Sequence, residues 1–212
     1  MEDRIQGQPT SHRAIRTELS ECSKRLTFID EHPFTSELLG INVMIIKKPR
    51  NLAITKNIGR IFRGHNIIEY KSPMESFTAD DYSKAFAYTY FYASQTHISL
   101  DDTTITIIAS TSARSLLHRL HSDTRLTVEE AGRGIHYVHG ERMPVQIIEQ
   151  KALSETENPW LWALRKDLPK ETLERLVDES RQRNDLDVYM STILATNEKP
   201  IKRDANGGNT AK

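Results

Sequence analysis

Cysteine is almost missing from this chain. Cys22 is the single one in 212 residues, so no intramolecular disulfide can form and a cysteine-rich zinc site is excluded. That usage fits a reducing compartment, and the cytoplasm is the expected location. No apolar run approaches the roughly 18 residues a membrane-spanning helix needs. Residues 1–10 are polar and lack a signal-peptide core, so no membrane partner is expected. Net charge is lacking too: 29 Lys+Arg balance 29 Asp+Glu. Neutrality removes the overall basic field that would argue for nucleic-acid binding and leaves only local patches. Neither a Gly-x-x-x-x-Gly-Lys-Ser/Thr nor a Gly-x-Gly-x-x-Gly stretch occurs, so nucleotide binding of those kinds has no support. Ser72 and Ser110 have no base that can be placed beside them, which argues against nucleophilic hydrolase chemistry.

What is present is the pattern of a globular α/β protein. Hydrophobic residues make up 37% and charged residues 27%, on the polar side for one domain with a helical appendage. Ser11 is placed to cap a helix to about Arg25, with Ile15, Leu19, Cys22 and Leu26 on one face. Short strands follow at 26–29 and 38–48, the second interrupted only by Asn42 in the run Ile41–Ile46. Thr78 or Asp80 caps a helix to about Ser94, rich in aromatic residues that should cover a sheet. The β-branched run 103–109 reads as a buried strand. A helix over 113–121 and strands over 126–130, 135–138 and 145–150 come next, separated by Gly132, Gly134 and Gly140. From residue 155 the pattern turns helical, over 159–168, 170–183 and 186–197. The expected division is a flexible N-terminus at 1–10, a main domain at 11–154, a helical extension at 155–198 and a disordered tail at 199–212.

The chemistry concentrates in Asn66-Ile67-Ile68-Glu69-Tyr70-Lys71-Ser72-Pro73. On a strand, Glu69 and Lys71 project from one face about 7 Å apart along it, and Pro73 stops the ladder. A carboxylate can hold a hard cation such as Mg²⁺, and a lysine beside it can orient the attacking water and offset phosphate charge. Taken alone, such a tripeptide is more often two charges on a wet strand face. The histidine pairs His118/His121 and His136/His139 read as surface histidines rather than metal ligands. Trp160 and Trp162 cannot share a helix face, so one packs inward and the other lies at an edge.

A longer stretch carries a resemblance. Leu26-Thr27-Phe28, Ile41 to Lys48, and Asn57-Ile58-Gly59-Arg60-Ile61-Phe62-Arg63-Gly64-His65 running into Asn66 to Pro73 resemble the PD-(D/E)xK nucleases, close to the bacterial transposase-associated, recombination-promoting nuclease group. Asp80-Asp81-Tyr82 with Lys84, Pro144 to Ile148 and Asn158 to Leu161 are also similar to it. The likeness spans about residues 11–195. It implies a restriction-endonuclease-like αβββαβ core with a mixed sheet, extended by C-terminal strands and helices. It also implies DNA phosphodiester cleavage with Mg²⁺ or Mn²⁺. On that pattern Glu69 is a metal carboxylate, Lys71 the catalytic lysine, Glu18 the acidic residue of the first helix, and Lys84 or Tyr88 a group facing the site.

The departure is Asn42, where the family pattern has a metal-binding aspartate. Asn keeps the shape and a carbonyl oxygen but not the charge that Mg²⁺ requires. Glu37 could replace it only through a bulge such as one at Gly40. Lys47, Lys48, Arg50, Lys56, Arg60 and Arg63 form a basic cluster between the two site strands, read as a solvated loop or as a phosphate-contacting rim. Two functions remain open at this point: a metal-dependent DNA endonuclease, or a catalytically inactive nucleic-acid-binding or interaction protein that kept the fold. DNA is the expected partner, with a homodimer as a further option.

Overall fold

The computed structural model describes residues 10–30, 43–71, 78–110, 112–166, 168–181, 183 and 186–197. Asn42, Glu37, Gly40, Ser72 and Pro73 lie outside them, as do residues 1–9 of the expected N-terminal tail and all of the expected C-terminal one; Thr10, expected in the tail, opens the first helix. The chain divides into two compact units, Met1–Arg165 and Lys166–Lys212. Among the described residues no helix is long and apolar enough to cross a membrane.

The first unit is an α/β domain with a seven-stranded mixed sheet. Helix α1 (Thr10–Glu18) leads to β1 (Thr27–Ile29), β2 (Val43–Lys47) and β3 (His65–Lys71), then α2 (Ala79–Thr96) and β4 (Thr103–Ala109). Helix α3 (Arg114–Ser122), strands β5 (Thr127–Gly132), β6 (Ile135–His139) and β7 (Val145–Glu149), and the short α4 (Pro159–Trp162) complete it. The second unit holds α5 (Lys170–Arg181) and α6 (Asp187–Asn197), so the first helix expected in the C-terminal extension belongs to the first unit. The sheet order is β1-β2-β3-β4-β7-β6-β5. β1, β2 and β3 form an antiparallel meander, β3, β4 and β7 run parallel, and β7, β6 and β5 are antiparallel.

The sequence explains most boundaries. α1 stops at Glu18, short of Arg25, where the backbone bonds tighten to i−3 turns, Ser20 N to the Thr17 carbonyl and Cys22 N to that of Leu19, and the Ser23 hydroxyl also bonds the Ser20 carbonyl. α2 starts at Thr78, whose side chain accepts from the Asp81 backbone while Asp81 reaches back to Thr78, a reciprocal cap that fixes the first turn. Its end falls at His97 in the left-handed region. β4, the central strand, is buried along its whole length, as its unbroken β-branched run demands when both faces are covered. Gly134, with φ 72°, makes the β5–β6 turn, where a side chain would strike the Glu149 carbonyl.

The two faces are covered differently. Ile105, Ile107, Ala109, Val145 and Ile147 pack under Ala85 of α2 and Leu116 and Leu120 of α3. Val43, Ile45 and Ile67 pack under Tyr88 and Tyr92. The opposite face presents polar side chains that bind the loop 48–64. Gln146 donates to the Ile58 carbonyl at 2.9 Å, and Thr104 donates to that of Ile61 at 3.3 Å. Asn66 donates to the Ile46 and Arg63 carbonyls. Buried polar groups need such partners, and here they anchor the loop over the face away from α2.

Candidate active site

Side-chain alternation puts Glu69 and Lys71 on the same face of β3 as Ile67, the face covered by α2. Glu69 is 1% exposed. Its row partners are Val43 on β2 and Ile107 on β4, so the carboxylate stands between apolar side chains. Lys71 Nζ lies 2.9 Å from Glu69 Oε1 and 3.1 Å from Asp81 Oδ1. Asp81 comes from the first turn of α2. Its Oδ2 accepts from Thr78 N at 2.9 Å and Thr78 Oγ1 at 2.7 Å. Lys84, one turn on and half exposed, reaches to 3.9 Å of Asp81 Oδ1. Among the described residues Glu69 Oε2 has no hydrogen-bond donor.

The protonation equilibria follow from this geometry. Burial raises the Glu69 pKa, and the nearby Lys71 ammonium offsets only part of the rise. Burial works against the Lys71 charge, but Glu69 and Asp81 outweigh it and hold its pKa above the ordinary value. Asp81 is pulled below the usual range because its bonds to Thr78 and Lys71 exceed its partial desolvation.

The other expected residues separate. Asn42 lies outside the described residues, adjoining Val43. Glu18 is described, and it is engaged elsewhere. Its Oε2 sits 2.6 Å from Lys56 Nζ, and its Oε1 accepts the backbone N–H groups of Trp160 and Leu161 at 2.8 and 3.0 Å. Lys56 precedes Asn57 and Ile58 on the loop that covers the opposite face. Glu18 therefore caps α4 across the sheet from Glu69. Tyr88 faces the sheet from α2, but it is fully buried against Val43, Ile45 and Ile67. Seven residues separate it from Asp81, roughly 10 Å along the helix. Trp160 is buried, and Trp162 is half-buried under Arg165, 4.1 Å from guanidinium to ring.

The basic cluster also lies away from the pair. Lys47 pairs with His65 at one end of the β2–β3 hairpin, and Val43 pairs with Glu69 near the other. Four residues, or roughly 13 Å, separate these rows. Lys48 donates to the Leu52 carbonyl, Arg60 to that of Thr55 and Arg63 to that of Asp101, while Arg50 pairs with Asp102. Of the expected basic residues, Lys84 is the one that reaches the Glu69–Lys71–Asp81 group.

Two groups escaped the sequence reading. Asp81 was visible only as part of the stretch Asp80-Asp81-Tyr82 at the helix start, with no role given to it. Glu149 had no signal until the topology was known. The parallel strands β3, β4 and β7 end at one edge, where Lys71, Ala109 and Glu149 share a row and a face. Glu149 accepts from Ala113 N at 2.9 Å and Ser112 Oγ at 3.3 Å, and faces His136 Nε2 at 3.3 Å. With Arg114, His118 and His121 it lines a cavity of about 320 Å³. His139 turns to Glu129 instead, so the His136/His139 pair is split between faces.

Among the described residues no three His, Cys, Asp or Glu side chains gather as a metal cage. The donor set at β3 suits another kind of cation. Mg²⁺ is commonly held by one or two carboxylates, with waters and substrate phosphate completing its shell. Glu69 and Asp81 supply two carboxylates, and one buried oxygen of Glu69 is unpartnered among the described residues.

Compared with known protein families, curated proteins and solved structures, the chain matches none.

Proposed function

We propose that this chain is a metal-dependent DNA endonuclease of the PD-(D/E)xK type. The observation that carries the reading is the buried Glu69 carboxylate with Lys71 Nζ 2.9 Å away, near the C-terminal end of β3. The order of elements supports it: helix, three antiparallel strands, helix and a parallel strand give αβββαβ. Carboxyl ends of parallel strands are also where open α/β sheets bind ligands. Glu69 would hold Mg²⁺ or Mn²⁺. The bound cation would lower the pKa of a coordinated water and offset charge on the phosphoryl oxygens. Lys71 would orient that water and add a fixed positive charge facing the phosphate. Lys84, half exposed at the rim, would contact the DNA backbone.

Asn42 favours a second reading, a catalytically inactive nucleic-acid-binding protein. Supercoiled plasmid incubated with Mg²⁺ or Mn²⁺ separates the two. Wild-type protein is expected to nick or linearise the plasmid, Glu69→Ala to lose that activity, and Asn42→Asp to increase it. Cleavage by Glu69→Ala equal to wild type would remove Glu69 from the site. A wild type that never cuts, an Asn42→Asp variant that does, and a salt-dependent gel shift would favour the inactive reading.

A further inference from the structure

We propose that Asp81, on the first turn of α2, is the second cation-binding carboxylate of this site, supplying beside Glu69 the charge that the sequence pattern expects at position 42. The inference rests on the hydrolytic reading of Glu69 and Lys71, and it adds the residue that reading lacks.

Three observations converge on it. First, a cation already sits between the two carboxylates: the Lys71 ammonium lies 2.9 Å from Glu69 Oε1 and 3.1 Å from Asp81 Oδ1. Both carboxylates thus converge on one positively charged point. Second, Glu69 Oε2 belongs to a side chain that is 1% exposed and has no donor among the described residues. A buried carboxylate oxygen left in that condition is costly unless a ligand uses it. Third, Asp81 is held in the way a metal carboxylate is held. Thr78 N and Oγ1 fix Oδ2 at 2.9 and 2.7 Å, leaving Oδ1 directed at Lys71. Hydrogen bonds of this kind orient ligating carboxylates.

The charges agree. Glu69 and Asp81 carry two negative charges against one on Lys71, with Lys84 more distant at 3.9 Å from Asp81. A divalent cation would neutralise the two carboxylates, leaving Lys71 free to serve a water and a phosphate. A site with two carboxylates and water suits Mg²⁺ or Mn²⁺, since Ca²⁺ takes six to eight oxygen ligands. Asn42 then need not bring a charge for the site to hold its metal.

The test is Mn²⁺ binding by the full chain, followed by electron paramagnetic resonance of the free ion, without DNA and independent of cleavage. Asp81→Asn keeps an oxygen to accept from Thr78, so the helix start is preserved and removal of the charge is what is measured. Asp80→Asn removes the same charge from the exposed neighbouring position. Asp81→Asn and Glu69→Gln are each expected to weaken Mn²⁺ binding by at least about tenfold, the scale on which even outer groups of metal sites act. Asp80→Asn should leave binding unchanged. Loss of binding in Glu69→Gln with wild-type binding in Asp81→Asn would overturn the role of Asp81 and leave the hydrolytic reading standing. Unchanged binding in both, or no binding by the wild-type chain at millimolar Mn²⁺, would overturn the proposal and the metal site together.

Discussion

Lys71→Met is expected to lower the free energy of unfolding by about 3–5 kcal/mol at neutral pH, the range for breaking a buried ion pair by removing one partner. Glu69 is the reason. Its carboxylate stands between Val43 and Ile107 and is 1% exposed, so without the ammonium it is a buried charge beside a second one on Asp81. The pH dependence identifies the cause. The folded-state pKa of Glu69 is already raised by burial, so what this group contributes is fully present below its ordinary value of 4.5 and is lost as pH rises through the folded value. Removing Lys71 raises that value further. The deficit of the variant should therefore shrink in acid, as Glu69 takes up its proton. The pKa of Lys71 is raised as well, so its contribution in the wild type persists below 10.5 and is lost as pH climbs through the folded value. Urea unfolding followed by tryptophan fluorescence reads the first unit, because both tryptophans lie in it. The double change Glu69→Leu/Lys71→Met should recover most of the loss, since apolar replacement of a buried pair is often neutral. A deficit constant from pH 4 to pH 8 would show that Lys71 contributes by packing and not by charge.

The same pair shows what the sequence could and could not say. The face shared by Glu69 and Lys71 was legible, because alternation is a property of a single strand. So were β4, from its unbroken β-branched run, and α2, from Thr78 and the residues after it. Asp81 was legible as part of the helix start and not as a partner of Lys71. That contact depends on where α2 re-enters over β3, which local pattern does not encode. Glu149 was hidden for a stronger reason. Its row with Lys71 exists only because β7 adds parallel to β4, a pairing across 40 residues between Ala109 and Glu149. The basic cluster shows the same limit. Lying between two site strands in sequence, it could be a solvated loop or a rim beside the site. In an antiparallel hairpin the connection leaves from the end of β2 and enters at the start of β3, while the pair sits near the end of β3. Topology alone separates them, and the polar side chains of Asn66, Thr104 and Gln146 then fix the loop on the opposite face.

Glu18 gives the second large effect, and it divides the resemblance from the geometry. Glu18→Ala is expected to destabilise the first unit by about 3–5 kcal/mol. The side chain is fully buried, one oxygen 2.6 Å from Lys56 Nζ. The other accepts from Trp160 and Leu161, both buried. These are N–H groups at the start of α4, which a helix leaves without intrahelical partners. Truncation leaves both donors without an acceptor and leaves the partly buried Lys56 ammonium with the Glu157 carbonyl but no counter-charge here. Glu18→Gln keeps an oxygen for the two N–H groups and loses only the charge, so its cost should be smaller, about 1–2 kcal/mol. Burial raises the Glu18 pKa against the pull of Lys56 and the two N–H groups. Its contribution to the wild type is therefore greatest below pH 4.5 and lessens as pH rises through the folded value, and the Gln deficit should be no larger at pH 8 than at pH 4. Neither change should alter Mn²⁺ binding in protein that remains folded, because Glu18 lies across the sheet from Glu69. Were Glu18 a metal ligand, as the resemblance implies, Glu18→Gln would weaken Mn²⁺ binding while leaving the urea midpoint in place. Measuring both quantities on that one variant decides whether the first helix serves the chemistry or holds α4 to the domain.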